Sequence, residues 1–122
     1  MRPIVIIESP YAGDVEKNER YARAAMRDCL LRGEAPYASH LLYTQPGVLN
    51  DKVPDERTLG IEAGFEFRRL ADKTVVYQNF GLSNGMKLGI ENSKELGVQI
   101  EYRMLPDQEW QQPIRYIINP DE

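Results

Sequence analysis

The sequence holds only one cysteine, one histidine and one tryptophan in 122 residues. A lone Cys29 excludes an intramolecular disulfide and any cysteine-rich metal site. It also falls on the apolar stripe of a predicted helix, where a small buried residue is the plain reading. With His40 as the sole histidine there is no HxxxH pair, and no carboxylate cluster has metal-ligand spacing, so no metal is expected. No cofactor is expected either, because the first loop carries one glycine where a dinucleotide fingerprint needs three. Long hydrophobic runs are missing too. Ile4 to Ile7 is too short for a signal-peptide core or a membrane span, so the expected setting is cytoplasmic, with no membrane partner. Basic residues are in deficit, 15 Lys and Arg against 19 Asp and Glu for a formal net charge of −4. That balance argues against a nucleic-acid partner.

What is present reads as one globular domain. Hydrophobic residues make up 42% and charged residues 28%, ordinary usage for a chain long enough to bury one core. Ile4 to Ile7 predicts a strand buried on both faces. Asp14 is a suitable N-cap for an amphipathic helix with Val15, Ala22, Ala25, Met26, Cys29 and Leu30 on its apolar side and Gly33 past its end. A short strand over Ala35 to Ser39 and an irregular stretch from His40 to Asp55 follow. Next come a helix over Glu56 to Leu70 with Leu59, Ala63, Phe67 and Leu70 sharing a face, and a strand at Thr74 to Tyr77. A helix over Met86 to Leu96 and a strand at Val98 to Tyr102 complete the order.

Alternation of strands and helices implies a three-layer Rossmann-like (flavodoxin-like) α/β domain with a mostly parallel sheet of four to five strands. Residues 1–104 are read as this domain. Residues 105–122, with Trp110, Tyr116 and three prolines, are read as an arm packing on the domain or a neighbouring subunit.

In open sheets of this kind ligands bind outside the carboxyl ends of the strands. Three segments are expected to meet there: Ser9-Pro10-Tyr11-Ala12-Gly13, Ser39-His40, and Ser83-Asn84-Gly85-Met86. The third has either the free N–H groups and hydroxyl of an anion site or simply a Ser cap for a helix. His40 could act as acid or base, or hold a loop. Ser9, His40 and Asp72 have the residue types of a nucleophilic triad, but no G-x-S-x-G elbow accompanies them.

Taken in order, Ile4-Val5-Ile6-Ile7-Glu8-Ser9-Pro10-Tyr11-Ala12-Gly13, Ser39-His40-Leu41-Leu42, Pro54 with Arg57, Gly60 and Gly64, Ala71-Asp72, Ser83-Asn84-Gly85-Met86, Gly97 and Tyr102 resemble the nucleoside 2-deoxyribosyltransferase-like superfamily. The likeness is to its short bacterial and phage members and spans roughly residues 4 to 103. It implies a nucleoside or nucleotide ligand and a homodimer or larger homo-oligomer with sites near subunit interfaces. It also implies N-glycosidic cleavage through a covalent glutamate, with the loop serine, here Ser83, on a phosphate.

The nucleophile position falls on Gly89 counted from Gly97, or on Lys87 counted from Gly85-Met86, and neither is a carboxylate. Glu91 lies about 200° around the helix from Gly89 and should face away. Glu8 and Asp72 are the candidate replacement carboxylates. Three readings therefore stay open: a nucleotide-binding protein without the glutamate, an N-glycoside hydrolase using Glu8 or Asp72 with water, and a non-catalytic protein-interaction module.

Overall fold

A computed structural model describes residues 1–106. The elements run β1 (Ile4–Glu8), α1 (Val15–Leu31), β2 (Ala35–Tyr37), α2 (Ser39–Leu42), α3 (Pro54–Arg68), β3 (Lys73–Tyr77), α4 (Asn84–Leu96) and β4 (Gln99–Arg103). The four strands form one sheet in the order β2-β1-β3-β4, and every pairing is parallel. This is the expected three-layer, flavodoxin-like arrangement. The predicted trailing arm lies outside the described residues except at its start, where Leu105 is buried in the core.

Strand alternation divides the core in two. Val5, Ile7, Val75 and Tyr77 point to one face and meet Tyr21, Ala25 and Cys29 of α1. Ile6, Glu8, Thr74 and Val76 point to the other, where Val76 packs on Met86 and Ile90 of α4. Val5, Val75 and Val76 are 0% exposed, and each such side chain contributes roughly 1.5–3 kcal/mol on burial. Asp14 caps α1 by accepting from Lys17 N at 3.2 Å.

Helix α3 departs from expectation. Leu59, Phe67 and Leu70 are largely exposed, and the buried residues are Gly64 and Arg68. An apolar stripe was the natural reading, but the inward face is chosen by a charged side chain that finds partners inside. The irregular stretch after β2 also contains the short helix α2, whose residue His40 is bonded by Thr44 Oγ1 at the carbonyl.

On the α1 face a charged network ties the sheet edges together. Arg103 donates to Glu34 at 2.8 and 2.6 Å, and Lys73 bridges Glu34 and Glu101 at 3.0 and 3.2 Å. Hydrogen bonds from Arg103 hold the Glu34 carboxyl down at about 2 against its own desolvation, with Lys73 assisting. A depressed folded-state value stabilises the fold above the ordinary 4.5, and that stability drains away as pH falls towards 2; its full size is about 3 kcal/mol. Glu34→Gln should therefore lower stability at pH 7 and flatten the loss between pH 5 and 2, as read by urea unfolding at a series of pH values. A parallel pH dependence in the two proteins would rule out this account of Glu34.

Candidate functional site

After β1 the chain winds to β2 on one side, then returns across to β3 on the other. The reversal leaves a crevice beyond the carboxyl ends of β1 and β3. A cavity of about 360 Å³ lies there, within the range of small-molecule sites. Its walls bring together Glu8 and Ser9 at the end of β1, Tyr11 beyond it, Ser39 and His40 of α2, and Ser83, Asn84, Gly85 and Met86 at the start of α4. Pro10 is not part of the lining, and Gly13 borders the adjoining hollow instead.

Asp72 is elsewhere. It precedes β3, and its Oδ2 accepts from Ile4 N at 2.7 Å at the start of β1. Four residues of strand, roughly 13 Å, separate that edge from Glu8. Sequence showed a carboxylate beside a strand without showing that it stood at the wrong end. This removes Asp72 from both the triad and the candidate catalytic pair. Glu91 is exposed and outside the lining, as its helical phase implied.

The floor is a buried ion pair. Glu8 Oε2 accepts from Arg68 Nη2, while Arg68 Nη1 donates to the Gly89 carbonyl and Ser93 Oγ, both at 2.8 Å, and to Thr74 Oγ1 at 3.3 Å. Arg68 thus joins α3, β1, β3 and α4 at one point. Burial pushes the Glu8 carboxyl above the ordinary carboxylate range, and the Arg68 charge and hydrogen bond oppose that rise.

Three further features shape the walls. Ser9 lines the cavity but is only 1% exposed, and its buried Oγ has no hydrogen-bond partner among the described residues. His40 Nε2 is 2.9 Å from the Ser9 carbonyl. A carbonyl only accepts, so Nε2 carries the hydrogen and Nδ1 of the neutral ring is left as an acceptor. Burial lowers the His40 value, with the Ser9 carbonyl pulling the other way, which keeps the ring neutral at pH 7. The ring stacks on Tyr11 with centroids 5.3 Å apart.

At α4 the Ser83 hydroxyl accepts from Met86 N at 3.3 Å, so the capping reading of Ser83 holds for its side chain. The N–H groups of Asn84 and Gly85 have no hydrogen-bond partner among the described residues. Gly85 lines the cavity, and a Cβ on it would meet nothing within 4 Å among the described residues, so packing does not require glycine there.

The α3 wall was missed as site material. Arg57, Gly60, Gly64 and Arg68 all line the cavity, on one side of the helix at steps of three and four. Two glycines in a helix cost about 1 kcal/mol each relative to alanine. That cost was the available signal that something approaches closely: at Gly60 a Cβ would stand 3.3 Å from Leu49. Among the described residues no cluster of His, Cys, Asp and Glu could hold a metal ion, and no helix is long and apolar enough to cross a membrane.

Gly89 is the tightest of the glycines. A Cβ there would coincide with the carboxyl atoms of Glu8, and its backbone conformation is ordinarily helical, so space alone demands glycine. Gly89→Ala should destabilise by about 2 kcal/mol through this overlap. In a Glu8→Ala background the same change should turn stabilising by about 1 kcal/mol, the usual helical preference. Urea unfolding of the four proteins of this cycle checks it, and simple additivity would refute the proposed contact.

Comparison with curated proteins finds no match. Among solved structures, the chain is similar to a 2-deoxyribosyltransferase from the psychrotolerant bacterium Bacillus psychrosaccharolyticus. The TM-score is 0.59 and the identity 18%, over 86% of this chain and 74% of that one. At that identity the likeness is one of fold. Residues 3–103 match a sequence family described as a domain of unknown function, DUF7768, and the chain belongs to that family.

Proposed function

We propose that this protein binds a nucleoside or nucleotide in the cavity at the carboxyl ends of β1 and β3. The observation that carries the reading is this cavity at the sheet's switch point, with Ser9 in its lining and a buried Ser9 Oγ that has no hydrogen-bond partner among the described residues. A buried hydroxyl without a partner costs about 1–3 kcal/mol, and a polar ligand seated against Ser9 recovers that cost when the side chain turns to meet it. The surroundings suit a base joined to a sugar. The Tyr11–His40 stack supplies a flat aromatic wall and Nδ1 an acceptor. The free N–H groups of Asn84 and Gly85 suit an anionic group. Arg57, which has no ion-pair partner among the described residues, stands on the same rim as Asp51 and Glu56. The fold neighbour is an enzyme presented as a biocatalyst for nucleoside synthesis, and the sequence motifs resemble the same superfamily.

Thermal melts against a panel of nucleosides and their mono- to triphosphates test the reading. A ligand at about a hundred times its Kd adds close to 3 kcal/mol, which for a domain of this size is a rise of about 10 °C. Arg57→Gln should remove the part of the shift that depends on phosphate and leave the nucleoside part unchanged. Silence across the panel would sink the proposal and leave a protein-interaction role in its place.

A further inference from the structure

Position 89 lies mid-helix in α4, buried, on the side facing the sheet. Its neighbour there is not apolar packing but the carboxyl group of Glu8, whose three terminal atoms take up the volume that any side chain at 89 would need. The carboxylate is held unevenly. Arg68 takes Oε2, and Oε1 has no hydrogen-bond partner among the described residues, on a residue that lines the cavity. Arg68 is itself fixed by Thr74, Ser93 and the Gly89 carbonyl. A pair built for stability alone gains by satisfying every oxygen, because an unmatched lone pair in a low-dielectric site is costly. Here one oxygen is anchored and the other has no hydrogen-bond partner among the described residues, on a side chain that lines the cavity next to Ser9 in sequence.

Among the described residues no other carboxylate pairs with Arg68 in the floor. Asp51 and Glu56 also line the cavity, from the loop before α3 and from its first turn, where Asp51 acts on His40 and Glu56 Oε1 is occupied by Asn50 N at 3.1 Å. Asp72 is at the far edge of the sheet.

We infer that Glu8 is the reacting carboxylate of the cavity, delivered by strand β1 into the space that α4 leaves empty at Gly89, where it activates water against an N-glycosidic bond. The inference rests on the nucleoside reading of the cavity. The oxygen of water bonds to the anomeric carbon as the carbon–nitrogen bond breaks, and that electron pair leaves with the base. Glu8 Oε1 takes one proton from the water and then releases it to solvent, the departing base gains one from solvent, and the products are free base and the free sugar, or the sugar phosphate from a nucleotide. Arg68 is a positioning residue in this scheme: it fixes the Glu8 rotamer and offsets its charge.

Each nucleoside and nucleoside monophosphate that stabilises the protein is incubated with it, and free base is quantified by chromatography. The parent should release base. Glu8→Gln should still be stabilised by the ligand but release base at least 100-fold more slowly. Since that variant leaves Arg68 without its counter-charge, a second one carries the test if it does not fold. Glu8→Ala combined with Gly89→Glu returns a carboxylate to the same volume from the helix side, with Arg68 still paired. It should fold and recover at least a tenth of the parental rate. If the parent binds a ligand and releases no base, the inference falls while the binding reading stands. Equal rates in parent and Glu8→Gln, or a folded, ligand-binding but inactive double variant, would overturn it as well. If no ligand binds at all, it is the nucleoside reading that has failed.

Discussion

The cavity depends on one buried ion pair. An arginine and a glutamate taken from water lose several kcal/mol of hydration each, and only dense partnering returns it. Arg68, supplied by α3, obtains that partnering from three other elements at once: Glu8 on β1, Thr74 on β3, and the Gly89 carbonyl and Ser93 on α4. Loss of either charge leaves the other stranded, at about 3–5 kcal/mol. The pair therefore fixes how closely α3 and α4 approach the sheet. It also accounts for the glycine beside it, since Gly89 clears the space that the Glu8 carboxyl group fills.

The two faces of the sheet solve different problems. Under α1, Tyr21, Ala25, Cys29 and Leu105 close the larger apolar core, with the Arg103–Glu34 network at its edge. Asn79 pins the chain after β4 by accepting from Leu105 N at 2.9 Å and donating to its carbonyl at 3.0 Å. The face under α3 and α4 trades apolar area for polar connection. Its buried apolar cluster is small, Val76, Met86 and Ile90, and the remaining space is given to the ion pair and the cavity above it. A pre-formed pocket needs such a rigid floor, because a ligand bound to a loose one would have to order it first.

Much of the fold was legible in the sequence, for reasons that are local. Val5, Ile6 and Ile7 are all apolar because β1 is central and covered on both sides there, while Ile4 at its start is exposed. Asp14 and Gly33 mark the ends of α1 through capping geometry that a few neighbouring residues settle. The cavity's three contributing loops were legible too, since a parallel sheet must gather its carboxyl-end loops on one side. Helix α3 was misread because hydrophobic periodicity assigns the inward face to Leu59, Phe67 and Leu70, and cannot anticipate that an arginine will go in when its partners sit on three other elements.

The sequence by itself determined the order of elements, the parallel sheet and which end of it would carry a site, because periodicity, caps and crossover handedness act over short stretches of chain. Only the tertiary structure decided which carboxylate belongs to that site. Glu8 and Asp72 are alike as sequence, each an acid at a strand end. One enters the floor against Gly89 and Arg68, the other closes the opposite edge on Ile4. The difference lies in contacts between residues 60 to 80 positions apart, a separation at which no local pattern carries information.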